Sequence, residues 1–172
     1  MSQLKEPLTQ QGPPSKPRVG IFVDVQNIYY TCRQSYGKNF DYNAFWSQVS
    51  EQYEIDCAFA YAIYRGDDKQ SQFQNILRAI GFEVKLKPFI QRKDGSAKGD
   101  WDVGITIDML EQGKELDRVI LLSGDGDFAL LLGHLQKKYK VPAEVYGADK
   151  LTADALKQSA ERFHCIDDSL LL

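Results

Sequence analysis

Hydrophobic and polar positions alternate along this chain in blocks that predict strands and helices in turn. Val19-Gly20-Ile21-Phe22-Val23 is an almost unbroken apolar run that ends in an acid, Asp24. Val119-Ile120-Leu121-Leu122 is a second such run, followed by Ser123-Gly124-Asp125-Gly126-Asp127-Phe128. Short continuous apolar runs mark strands buried on both faces, the habit of parallel sheets. Ile55 to Tyr64 and Val141 to Tyr146 read as further strands, and Phe163 to Ile166 as the last. Phe82 to Phe89 alternates apolar with charged residues, which predicts a strand with one exposed face.

Between the strands the period changes to that of helices. Gln26 to Tyr36 precedes a stop signal at Gly37, and Asp41 can cap a second helix reaching about Gln52. Asp67-Asp68 opens a third, with Phe73, Ile76, Leu77 and Ile80 on one face and Gly81 at its end. Trp101 to Glu111 places Ile105, Met109 and Leu110 at helical spacing. Ala129 to about Tyr139 is the next helix, and Thr152 can cap a short one. Gln91 to Gly99 is a polar loop. The order β-α-α-β-α-β-α-β-α-β-α-β implies an α/β fold with a mostly parallel sheet covered on both faces. Residues 1–17 are polar and rich in proline and read as a flexible tail; residues 18–172 form one domain.

Composition narrows the classes. The chain has 172 residues and a formal net charge of −3, with no apolar stretch approaching the ~20 residues that span a bilayer. Its three cysteines, Cys32, Cys57 and Cys165, are widely spaced, fit neither a disulfide framework nor a zinc site, and suit a reducing, cytoplasmic setting. The N-terminus lacks the apolar core of a secretion signal. The net charge gives no whole-molecule case for nucleic acid, which leaves a local basic patch to be found.

The chemistry concentrates in acids. Asp24 ends the first strand, Asp102 opens the helix after the polar loop, and Asp125 and Asp127 follow the central strand. Carboxyl ends of neighbouring strands lie together in open α/β sheets, so these four can share a pocket with the amide of Asn27. Three or four carboxylates suit Mg²⁺ or Mn²⁺. Zinc does not fit: His134 and His164 are the only histidines and neither sits in a ligand motif. Each acid has a plainer reading, Asp24 as a helix cap, Asp102 as a first-turn acid, Asp125 and Asp127 as turn formers. Asp108 lies about 120° round the helix from Asp102, which makes it a neighbour or a salt-bridge partner rather than a direct ligand. Gln26 occupies the position where haloacid-dehalogenase-type phosphatases carry a second acid. GxGxxG, GxxxxGK[ST] and GxSxG motifs are absent.

Three segments, Phe22-Val23-Asp24-Val25-Gln26-Asn27, Lys98-Gly99-Asp100-Trp101-Asp102-Val103 with Asp108, and Ser123 to Phe128, together resemble the motifs of NYN domains, most closely the LabA-like or DUF88 group. The resemblance covers Arg18 to Ile166. It implies a PIN-like (Rossmann-like) three-layer sandwich with a Mg²⁺-dependent acidic nuclease centre. Family roles carry over to Asp24, Asn27, Asp102, Asp125 and Asp127 as catalytic residues, the four acids holding the metal. Either Asp100 or Asp102 could face that metal; the helical pattern favours Asp102.

A phosphodiesterase must also hold its substrate's backbone. Lys85, Lys87, Arg92, Lys93 and Lys98 cluster within one short segment, and Arg65 ends the second strand, so these are the phosphate-contact candidates. Phe89 or Trp101 can stack an unpaired base. The competing reading is a lysine-guarded sheet edge with Trp101 in the core. Three readings follow: a metal-dependent ribonuclease acting on single-stranded or structured RNA, a nucleic-acid-binding regulatory module with little or no catalysis, and, more weakly, a phosphatase or nucleotide hydrolase. Oligomeric state, a homodimer included, is left open by the sequence.

Overall fold

A computed structural model describes residues 15–88, 90, 91, 97, 98 and 100–172. Most of the tail, Phe89, Arg92 and Lys93 therefore lie outside the described residues.

Six parallel strands form the central sheet: β1 (Arg18–Asp24), β2 (Glu54–Tyr64), β3 (Glu83–Pro88), β6 (Arg118–Leu122), β7 (Ala143–Gly147) and β8 (Arg162–Cys165), in the spatial order β3-β2-β1-β6-β7-β8. Between β3 and β6 lie a two-stranded antiparallel hairpin, β4 (Ile90–Gln91) with β5 (Ala97–Lys98), and helix α4 (Asp102–Gly113). The hairpin corrects the expectation of a plain polar loop; two-residue strands are too short to leave a periodic signature. The other helices are α1 (Val25–Tyr36), α2 (Tyr42–Gln52), α3 (Asp68–Ile80), α5 (Ala129–His134) and α6 (Asp154–Ser159).

Strand β1 shows why the sheet needs helices on both sides. Val19, Ile21 and Val23 join one apolar cluster with Ile28, Phe45 and Leu77 of α1, α2 and α3. Phe22 joins the opposite cluster with Ile105, Met109, Leu132 and Leu156 of α4, α5 and α6. The result is the α/β three-layer sandwich expected from the sequence. The helix signals also hold: Gly37 ends α1 at φ 66°, and the Asp41 and Asp67 side chains accept N-terminal backbone bonds of α2 and α3.

Two local expectations change. The buried stripe of α3 takes in Gln74, 5% exposed, and leaves Ile76 53% exposed, because the helix is rotated about one residue from the simplest apolar face. Thr152 does not cap α6, whose N-cap is Ala153. Its buried hydroxyl instead donates to the Ala148 carbonyl at 2.7 Å.

Near the β8 edge a carboxylate is buried inside the sheet. Glu144 of β7 accepts from Arg118 Nε at 2.9 Å, pairs with His164 Nε2 at 2.6 Å, and accepts a short bond from the Tyr53 hydroxyl. Despite its burial, these donors hold its carboxyl at about 2, well below the usual range.

The chain runs outward from β1 to β3 and then crosses to β6 on the other side of β1. That makes β1 and β6 the point where the winding reverses, and open sheets bind ligands outside such a point. Val23 pairs with Leu122, so Asp24 and Ser123 leave the sheet side by side.

Candidate metal centre

The acids of the second and third motifs converge at this switch point. Asp102, Asp125 and Asp127 each offer a carboxylate oxygen, and the three oxygens lie within 4.8 Å of one another. Their positions follow from local structure. Asp102 is the first residue of α4, behind Trp101. Asp125 caps the 3₁₀ turn Gly126–Phe128, its Oδ1 accepting from the Asp127 N–H at 2.9 Å. The turn reading of Asp125 therefore holds, and the same carboxylate also belongs to the cluster. Asp100 Oδ1 accepts from the Asp102 N–H at 3.2 Å, and Asp102 is the acid of this pair in the cluster.

Asp24 stands behind these three. It occupies the N-cap position of α1, yet its side chain makes no capping hydrogen bond. Its Oδ2 accepts from the Ser123 hydroxyl at 3.2 Å, and Ser123 Oγ in turn accepts from the Asp125 N–H at 3.1 Å. Burial pushes the Asp24 carboxyl up to about 6; the nearby Asn27 N–H and Ser123 lower it in part, and Asp125 and Asp100 raise it. Asp102 is pushed up to about 7, by burial first and then by the adjoining Asp125, with further repulsion from Asp100 and Asp24. Beyond burial, neighbouring carboxylates raise both Asp24 and Asp102, so the centre holds these two against like charge.

Asn27 plays a different part from the acids. Its amide oxygen accepts from the Gly124 N–H at 2.9 Å, tying α1 to the acidic loop. Gly124 has no alternative at its position: a Cβ there would lie 2.3 Å from the Leu151 carbonyl oxygen. Sequence reasoning missed Ser123, which is fully buried and links Asp24 to Asp125. The available signal was a small hydroxyl residue at the end of an apolar strand, directly before the acidic turn.

The basic residues divide. Lys85 is committed to Asp108 at 2.6 Å, and Asp108 also accepts from the Tyr61 hydroxyl at 2.8 Å. Asp108 is thus the salt-bridge partner its spacing implied. Lys87 donates to the neutral Asp100 carbonyl at 2.7 Å and keeps its net charge beside α4, over the Trp101 ring at 4.7 Å. Trp101 donates its indole N–H to the Ala62 carbonyl at 2.8 Å and packs on Tyr61, the core role rather than a stacking one. The Arg65 backbone N–H donates to Gln70 at 3.1 Å. Lys98 lies on β5.

The donor set is all carboxylate oxygen, partly buried and open at Asp127, which suits Mg²⁺ or Mn²⁺ and not a thiophilic ion. Comparison with known proteins agrees in kind. A model of the NYN domain matches residues 18–167. The chain belongs to the NYN family. This is a family of PIN-like nucleases, whose members typically use divalent metals. The NYN domain described here is 29% identical over 159 residues to the low amplitude and bright protein LabA of Synechococcus elongatus, covering 88% of this chain and 84% of that one. It also resembles the crystal structure of a protein of unknown function from Vibrio parahaemolyticus, with 54% identity and a TM-score of 0.88 over 94% of this chain and 100% of that one. Among the described residues no helix is long and apolar enough to cross a membrane.

Proposed function

We propose that this NYN domain is a metal-dependent ribonuclease. The observation that carries the reading is the meeting of Asp102, Asp125 and Asp127 at the switch point, with Asp24 buried behind them. The three clustered acids would hold Mg²⁺ or Mn²⁺. Such an ion supplies Lewis acidity at the phosphorus and lowers the pKa of water. The rest of the work falls to the chain. Ser123 and Asn27 fix the acidic loop to β1 and α1, so the carboxylates are set before substrate arrives. Asp24, its Oδ2 held by the Ser123 hydroxyl behind the three clustered acids, would accept the proton of the attacking water. Lys87 offers positive charge to the RNA backbone.

Incubation of the purified protein with labelled RNAs of varied structure, with Mg²⁺ or Mn²⁺ and with EDTA, tests the reading. Cleavage is expected with metal only, and is expected to be lost in Asp24→Asn. Binding without turnover in any metal would favour the regulatory reading instead. Cleavage that persists in EDTA would remove the metal from the mechanism.

A further inference from the structure

Helix α1 runs away from the acidic centre carrying an exposed aromatic pair. Tyr29 and Tyr30 are 50% and 52% exposed, and their rings meet edge to face at 5.4 Å. Among the described residues neither side chain makes a hydrogen bond or a further ring contact. The fold does not call on them, because α1 packs through Val25, Ile28 and Cys32. Tyr30 lies one helical turn beyond Asn27, the residue that holds Gly124 of the acidic loop. At about 1.5 Å of rise per residue the pair sits within roughly 10 Å of Asp24 along the helix axis. Arg33 continues the row on the next turn, exposed, with a guanidinium that forms no ion pair among the described residues.

A single exposed tyrosine is ordinary surface. Two adjoining aromatic rings and an uncommitted cation, on the helix that starts at an acidic centre, match the parts of a track for an unpaired strand. Ring faces take bases, which stack whatever their sequence, and the cation takes phosphate. Bases inside a duplex are stacked on one another and have no face to offer.

We propose that Tyr29, Tyr30 and Arg33 form a stacking subsite that leads single-stranded nucleic acid to the acidic centre. The proposal rests on the reading of the centre as a nuclease and selects an unpaired strand as its substrate class.

Fluorescence anisotropy in EDTA at low salt tests it apart from catalysis, with labelled strands of about 12 nucleotides, within the site sizes of such tracks. Single-stranded RNA, single-stranded DNA and an RNA duplex of the same sequence are compared. The wild type is expected to prefer the single strands. Replacing both tyrosines by alanine should weaken single-strand binding at least about tenfold, and replacing both by phenylalanine should leave it within about twofold, because the ring and not the hydroxyl carries the contact. The phenylalanine variant also serves as the folding control. Arg33→Ala should reduce the slope of log affinity against log salt by about one. Absence of single-strand binding by the wild type, unchanged binding in the double alanine variant, or an equal loss on the duplex would each overturn the proposal. A parallel cleavage assay separates the two claims. Unchanged binding with intact metal-dependent cleavage discards the subsite and leaves the nuclease standing. Ring-dependent binding without cleavage keeps the subsite and discards the nuclease.

Discussion

Asp125→Asn is expected to lower metal-dependent RNA cleavage at least about a hundredfold, the scale on which removing one stabilising group from a preorganised site acts. The substitution is conservative for the fold, since an amide oxygen can still accept from the Asp127 N–H that Asp125 Oδ1 now accepts. It removes a charge that raises both Asp24 and Asp102. In EDTA the variant should therefore melt at or above the wild-type temperature. With saturating Mg²⁺ or Mn²⁺ the order reverses. A ligand at a hundred times its dissociation constant adds about 2.7 kcal/mol, on the order of 5–10 °C for a domain of this size. The wild type should gain that much and the variant little. Thermal melts of both proteins in both buffers check it, and equal metal responses would remove Asp125 from the site.

The largest loss of stability is expected at Glu144→Ala, far from the acids. The substitution leaves Tyr53 and His164 facing an empty site in the sheet and Arg118 with Glu161 as its remaining carboxylate. Removing one member of a buried, hydrogen-bonded ion pair costs about 3–5 kcal/mol. The pH dependence carries the same signature. Glu144 is held at about 2 in the folded protein, against an ordinary value of 4.5. A depressed carboxyl stabilises the fold above its unfolded pKa and loses that contribution as pH falls toward its folded one. The wild type should weaken between about pH 4.5 and 2, and the variant should weaken less steeply across that window. Urea unfolding at several pH values measures both quantities. A variant with wild-type stability and an unchanged pH slope would show that the network contributes nothing net.

Much of this architecture was legible in the chain because parallel strands leave a strong mark. The runs at Val19 and Val119 are apolar on both faces, and the structure buries both faces. The acids were legible for the same reason, since the ends of such strands are where the sheet meets solvent. Pairings between distant residues were not. Lys85 reads as a free cation in sequence, yet Asp108, 23 residues on, meets it across the sheet edge. Asn27 reads as a ligand beside Asp24 until the backbone of Gly124 is brought against it. Glu144 stands among apolar residues with no local sign of the Arg118, Tyr53 and His164 side chains that neutralise it. Thr152 reads as a cap, but its hydroxyl is enclosed where Gly147 leaves room; a Cβ at Gly147 would lie 2.3 Å from it.

The central claim is that Asp102, Asp125 and Asp127 form one divalent-metal centre. Diffraction from crystals soaked in Mn²⁺, collected at the manganese absorption edge, tests it most directly. The account predicts an anomalous peak at the switch point between β1 and β6, about 2.1 Å from an oxygen of both Asp102 and Asp125. Manganese absent from that point, or bound only at surface carboxylates elsewhere, would contradict it.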